Sequence, residues 1–245
     1  MLVDLRQYTL HPGRRDELID LFDRYFVEGQ EATGMQLVGQ FRDLDDPDRF
    51  VWLRGFPDYE SRGKALSDFY GGPVWKAHRE AANATMLDSD NALLLKPLLV
   101  REGYPEPGSI RPPIGAADVP PSFGAADVPP SIVAGAVYHR SSLSDGFTDF
   151  FRNDIEPALS EAGARPVAVF ETYPAENNFP ALPLRDDPVL VWLTTFAGPA
   201  SYDAYRDRLA TSPKWRDHLE PELTRLSATP PQHLRLTPTT RSALR

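Results

Sequence analysis

Phe50-Val51-Trp52-Leu53-Arg54-Gly55-Phe56 decides the fold, because its centre returns 140 positions later as Val191-Trp192-Leu193, with Phe196 in the place of Phe56. The same interval carries Pro73-Val74-Trp75-Lys76-Ala77-His78-Arg79-Glu80 onto Pro213-Lys214-Trp215-Arg216-Asp217-His218-Leu219-Glu220. Nearer the starts of the halves the interval is 130, aligning Val3 with Val133 and Tyr8 with Tyr138. The ten extra residues fall in the Pro/Asn-rich stretch between Tyr173 and Pro188. Several matches in order, at one spacing, make the chain a tandem duplication.

Each copy has the same pattern. A strand (about Leu2 to Leu10, and Ile132 to Arg140) leads into a helix marked by Leu18, Leu21, Phe22, Tyr25 and Phe26, or by Phe147, Phe150, Phe151, Ile155 and Leu159. A second strand (Gln36 to Asp43, Pro166 to Tyr173) and the Val-Trp-Leu strand follow. Helices then start near Asp58 or Pro199 and again at Pro73 or Pro213, where proline suits a first turn. A last strand, Ala92 to Leu99 or His233 to Thr237, closes the unit. The order βαββαβ is ferredoxin-like. The expected fold class is therefore α+β: two tandem ferredoxin-like units, residues 1–101 and 132–245, whose antiparallel sheets pack as an intramolecular barrel. Residues 102–131 read as a Pro/Gly-rich tether, in which Gly115-Ala-Ala-Asp-Val-Pro-Pro-Ser122 recurs as residues 124–131.

The sheets also have two apolar faces to bury. In the Val-Trp-Leu strand Phe50, Trp52, Arg54 and Phe56 share one side, and Val51 and Leu53 the other. A ferredoxin-like sheet has helices on one face only, so the second copy is expected to cover the other. The expectation places the Asp4, Arg6, Tyr8, Trp52 and Arg54 face between the two copies.

Composition narrows the function. A net charge of −9 and a pI near 5.1 argue against a general nucleic-acid binder. With no cysteine there is no disulfide, thiolate nucleophile or Cys-ligated metal. No apolar run is long enough to span a membrane, and the strand-like start does not read as a signal peptide, so a cytoplasmic protein is expected. Phosphate-binding and metalloprotease motifs are missing, and the five histidines have no metal-ligand spacing. Asp43-Leu44-Asp45-Asp46-Pro47-Asp48 lacks the glycine and terminal glutamate of a calcium loop and reads as a turn.

Arg6-x-Tyr8-x-Leu10 with Pro12-Gly13, then Phe50 to Phe56 and Pro73-x-Trp75, resembles the NIPSNAP family of the dimeric α+β barrel superfamily. The likeness covers about 95 residues of the first half, and the second half keeps Tyr138, Val191-Trp192-Leu193, Phe196 and Pro213-x-Trp215. It implies that a barrel made elsewhere by two chains is made here by one, in a superfamily holding cofactor-free monooxygenases, haem enzymes and members without known activity.

The halves differ where chemistry would sit. Asp4, Arg6 and Arg54 become Ala134, Ala136 and Thr194, while Tyr8/Tyr138, Trp52/Trp192 and Phe56/Phe196 persist. Arg6, Tyr8, Arg54 and His78 are the candidate catalytic residues. Asp4, Trp52, Phe56, Trp75, Tyr138, Trp192 and His218 are the candidate substrate-binding residues. A solvated Asp4–Arg6 pair on an edge strand is the alternative for the polar set. For Trp75–His78 and Trp215–His218, helix anchoring competes with a role as general base or haem ligand. His11 and His139 sit near the ends of the matched first strands but at different alignment positions, and His11, in a loop before a helix, reads as a surface residue.

The expected function is a small-molecule enzyme without cofactor or metal: an oxygenase, isomerase or cyclase acting on an aromatic or polyketide-like substrate. A non-catalytic binding module, favoured by a filled barrel, and a haem enzyme are the alternatives. The expected partner is a small-molecule ligand, not nucleic acid or membrane; assembly of the tandem chain into a homo-oligomer stays open.

Overall fold

In the computed structural model residues 1–114 and 131–245 are described. The first unit runs β1 (Leu2–Leu10), α1 (Arg15–Leu21), a π-helical turn (Phe22–Phe26), α2 (Val27–Glu31), β2 (Gln36–Asp43), β3 (Arg49–Phe56), α3 (Tyr59–Gly71), α4 (Pro73–Asn83), β4 (Met86–Asp88) and β5 (Ala92–Val100). The second runs β6 (Ile132–His139), α5 (Phe147–Phe150), a π-helical turn (Phe151–Ile155), α6 (Glu156–Glu161), β7 (Ala168–Thr172), β8 (Val189–Phe196), α7 (Pro199–Thr211), a π-helical turn (Trp215–Leu219), α8 (Glu220–Leu226) and β9 (Gln232–Pro238).

Within the first unit β1 lies between β3 and β5, and β2 flanks β3. The second unit repeats this, with β6 between β8 and β9, and β7 beside β8. Each unit then lends its last strand to the other: β5 pairs with β7, and β9 with β2, all antiparallel. Eight strands thereby close into a barrel, and β4 hooks onto the end of β1. Closure removes the exposed sheet edges that either unit alone would present.

The barrel interior is solidly aliphatic. Val3, Leu5, Val51 and Leu53 meet Val133, Val137, Val191 and Leu193, each at most 1% exposed, with Phe41 and Phe170 completing the core. An eight-stranded barrel has room for side chains and little else. This corrects the expected placement of the polar face. The Val/Leu faces turn toward the sibling unit, and Asp4, Arg6, Tyr8, Trp52 and Arg54 turn outward, beneath α1 to α4. The physical reason is fit: short branched side chains fill a narrow barrel, whereas guanidiniums and indoles need the wider helix–sheet layer and its polar partners.

The N-terminal part of the tether is also more ordered than expected. Tyr104 is buried against Phe170, with ring centroids 6.0 Å apart, and Gln36 donates to the Pro105 carbonyl at 2.8 Å. Arg111 pairs with Glu31 at 2.6 Å. Apart from Ser131, the nine-residue repeat lies outside the described residues.

Candidate functional site

Alternation along β1 and β3 sets Asp4, Arg6 and Tyr8 beside Trp52, Arg54 and Phe56 on one face of the sheet. Asp4 stands opposite Arg54, and Arg6 opposite Trp52. α3 adds Arg62, which shares its buried stripe with Ala65, Leu66 and Phe69.

Asp4, Arg6, Arg54 and Arg62 are all fully buried. Arg54 Nε donates to Asp4 Oδ2 at 3.0 Å; its Nη2 is also 3.0 Å from that oxygen, at an angle too poor for a hydrogen bond. Arg62 Nε donates to Asp4 Oδ1 at 3.0 Å. Arg54 Nη1 donates to Gln30 Oε1 at 3.0 Å and to the Tyr70 hydroxyl at 3.4 Å. Arg6 Nε donates to the Tyr8 hydroxyl at 3.1 Å, and Nη2 to the Ser89 carbonyl at 3.0 Å. Burial pushes the Asp4 carboxyl up, but Arg54, Arg62 and Arg6 together hold it below its ordinary value. Burial raises the Tyr8 hydroxyl, so Tyr8 stays protonated.

Above this cluster lies a cavity of about 80 Å³, lined by Tyr8, Phe22, Gln30, Trp52, Tyr70 and Trp75 among others. Its walls are locked by edge-to-face contacts: Tyr8–Trp52 at 5.7 Å, Phe22–Trp52 at 4.8 Å and Tyr70–Trp75 at 4.9 Å. The π-helical turn at Phe22–Phe26 places both phenylalanines in this wall.

The other unit supplies the roof. The stretch between β7 and β8, where the second copy carries its extra residues, crosses to the first unit. Asn178 Oδ1 and Asn177 Oδ1 accept from Arg62 Nη1 at 2.7 and 3.2 Å. Phe179 stacks on Tyr70 at 5.7 Å, and Leu182 lines the cavity.

The second unit has its own, larger cavity of about 250 Å³ between sheet and helices, lined by Trp192, Tyr202, Tyr205, Arg206, Trp215 and His233 among others. Small residues at positions 134 and 136 and the Thr194 side chain leave it without a buried ion cluster. Trp192 Nε1 donates to the Tyr138 hydroxyl at 3.3 Å.

The structure thus gathers Asp4, Arg6, Tyr8, Trp52, Arg54, Phe56 and Trp75 in one layer. Tyr138 and Trp192 sit in the sibling layer, across the packed barrel. His78 stacks on Tyr25, centroids 3.8 Å apart, away from the cavity lining, and His218 is exposed on the π-helical turn of the last helix. Arg62, Gln30, Tyr70, Asn177 and Asn178 were not singled out by sequence. Arg62 carries a readable signal, since it becomes Tyr202 at the 140-residue interval and falls on an apolar helical stripe. The contact of Asn177 and Asn178 with Arg62 carries none.

Among the described residues no group of three or more His, Asp or Glu could hold a metal ion. No helix among them is long and apolar enough to cross a membrane.

Residues 3–98 match the NIPSNAP family model. Three solved structures share the fold over 97% of this chain. An anthrone oxidase-like protein has 13% identity and a TM-score of 0.61 over 91% of its chain. A "putative monooxygenase" of Fusobacterium nucleatum subsp. nucleatum has 11% identity and 0.58 over 91% of its chain. Another, from Lactobacillus acidophilus NCFM, has 10% and 0.52 over 93%. No curated protein matches the chain. At such identities the likeness extends to the fold: residues 3–98 are a NIPSNAP domain, built with its sibling unit into one closed α+β barrel.

Proposed function

We propose that the cavity between sheet and helices of the first unit is the active site of a small-molecule enzyme that works through an oxyanion: an oxygenase, isomerase or cyclase acting on an aromatic or polyketide-like compound. The observation that carries this reading is an aromatic cavity lying beside three buried guanidiniums. Preorganised positive charge of this kind stabilises an enolate or phenolate far better than water does. Arg6 lies behind the cavity wall, bonded to two of its lining residues, Tyr8 and Ser89, and Arg54 positions two more, Gln30 and Tyr70. Tyr8, protonated and hydrogen-bonded to Arg6, is the proton donor. The names of the structural neighbours, oxidase-like and monooxygenase, agree with this class. The cavity is small, so it encloses the reacting edge of a compact substrate.

The packed barrel and the small cavity volume favour a second reading, a binding module without catalysis. Oxygen uptake and ultraviolet absorbance across a panel of enolisable ketones and phenols separate the two. Turnover that falls about 100-fold or more in Arg6→Met and is unchanged in Arg14→Ala supports the enzyme. Binding without turnover across the panel supports the module.

A further inference from the structure

Three cationic side chains and one carboxylate are buried together in the first unit. Arg6, Arg54 and Arg62 are each fully buried; Asp4 is the buried acid that pairs with Arg54 and Arg62, and Arg6 is held by the Tyr8 hydroxyl and the Ser89 carbonyl instead. The cluster therefore carries a surplus of about two positive charges, in a setting where an uncompensated charge costs several kcal/mol.

The surplus is directed. Arg6 Nη1 and Trp52 Nε1 are buried and have no acceptor among the described residues. Arg6 and Trp52 face each other across β1 and β3, and Tyr8 follows Arg6 on the same side of β1. Tyr8 accepts from Arg6 Nε, which leaves its own proton free to donate. Tyr8 and Trp52 both line the cavity, and Ser89, whose carbonyl holds the other end of the Arg6 guanidinium, lines it too. Three neighbouring groups are thus donors without acceptors, two of them on residues that line the cavity and the third on Arg6, which lies directly behind Tyr8 and Ser89. A group that satisfies them brings acceptor oxygens and a negative charge of its own at rest, before any reaction creates one. Two oxygens match three donors, and about 80 Å³ admits few atoms beyond them. That combination describes a carboxylate better than a tetrahedral phosphate.

We propose that the first unit's cavity binds the carboxylate of a small organic acid, held by Arg6 Nη1, Trp52 Nε1 and the Tyr8 hydroxyl. This rests on the cavity being a ligand site, and it adds that the ligand enters as an anion. The second unit offers no equivalent, because Ala136 replaces Arg6 and the Trp192 indole is already paired with Tyr138.

The full-length protein labelled with ¹⁵N gives four indole N–H signals, one per tryptophan, and Trp52→Phe identifies its own. Acetate is expected to move the Trp52 signal downfield with saturation, while acetamide at the same concentration leaves it in place. Calorimetric titration with acetate should lose about tenfold or more in affinity in Arg6→Met, since a charge-assisted hydrogen bond is removed. If that variant fails to fold, Trp52→Phe, which keeps the ring and deletes one donor, is expected to lose roughly three- to tenfold. The proposal is overturned if acetate leaves the Trp52 signal unmoved, if acetamide binds as well as acetate, or if folded variants bind acetate like the parent. Binding of acetamide alone would overturn the anionic ligand and leave the ligand site standing. Acetate binding without any turnover would do the reverse, keeping this inference and sinking the enzymatic reading.

Discussion

The two units share strand order, helix order and aromatic frame, yet one buries an ion cluster under a small roofed cavity, and the other has a larger cavity whose charged lining residues, Arg206, Arg216 and Glu220, are exposed. In the first, Asp4, Arg6, Arg54 and Arg62 occupy the layer between sheet and helices; in the second, Ala134, Ala136, Thr194 and Tyr202 stand in their places. The fold therefore needs neither set. Both layers bury a tryptophan on the Val-Trp-Leu strand, β3 or β8, and both pack on the same aliphatic barrel. What a fold tolerates losing in one copy and keeps at electrostatic cost in the other is a candidate for function.

The sharpest way to break this contrast is Asp4→Asn. It leaves the buried Arg54 and Arg62 guanidiniums without their carboxylate and should cost about 3–5 kcal/mol in urea unfolding. Copying the second unit's chemistry as a set, Asp4→Ala with Arg54→Thr and Arg62→Tyr, should cost less than Asp4→Ala alone, because the Arg54 and Arg62 guanidiniums are not left buried without their carboxylate. A triple variant less stable than the single one would show that the cluster is structural.

Next in size is the roof. Asn178→Ala removes the 2.7 Å acceptor of Arg62 Nη1 and should cost about 1–3 kcal/mol, read in the same unfolding experiment. The effect should be larger than for Asn177→Ala, whose contact is 3.2 Å.

Acid should expose the same asymmetry. The Asp4 carboxyl titrates below its ordinary value of 3.8 because Arg54, Arg62 and Arg6 outweigh its burial. A depressed folded-state pKa contributes stability that is fully present above the unfolded value and is lost as pH falls through the folded one. Hydrogen exchange at pH 4 to 2 should accordingly show β1 and β3 losing protection relative to their value at pH 7, with a smaller loss in β6 and β8. The smallest expected effect is that of His78→Ala. His78 stacks on Tyr25 outside the cavity lining, so the variant should leave acetate binding unchanged and alter stability by about 0.5 kcal/mol or less.

Most of the architecture was legible in the residues. The 140-residue interval gave two copies, period-2 alternation gave strands apolar on both faces, and Pro73 and Pro213 marked the last helices. The exchange of Asp4, Arg6 and Arg54 for Ala134, Ala136 and Thr194 located the layer where the units diverge. Alternation alone could not say which of two buried faces turns inward, since Val51/Leu53 and Trp52/Phe56 are both apolar. Side-chain volume decides it, and that depends on barrel closure through β2–β9 and β5–β7. The cross-unit roof was hidden for a similar reason: Asn177 and Asn178 lie 115 and 116 residues from Arg62, and no periodicity reports on a loop crossing between units.

The central claim is that the first unit holds a cationic ligand cavity between its sheet and its helices. Anomalous diffraction from a crystal soaked in sodium bromide tests it directly. The account predicts a bromide within hydrogen-bond distance of Arg6 Nη1 and Trp52 Nε1, and none at the matching place beside Ala136 and Trp192. Bromide confined to the outer surface, or seated in the second unit's cavity instead, would contradict it.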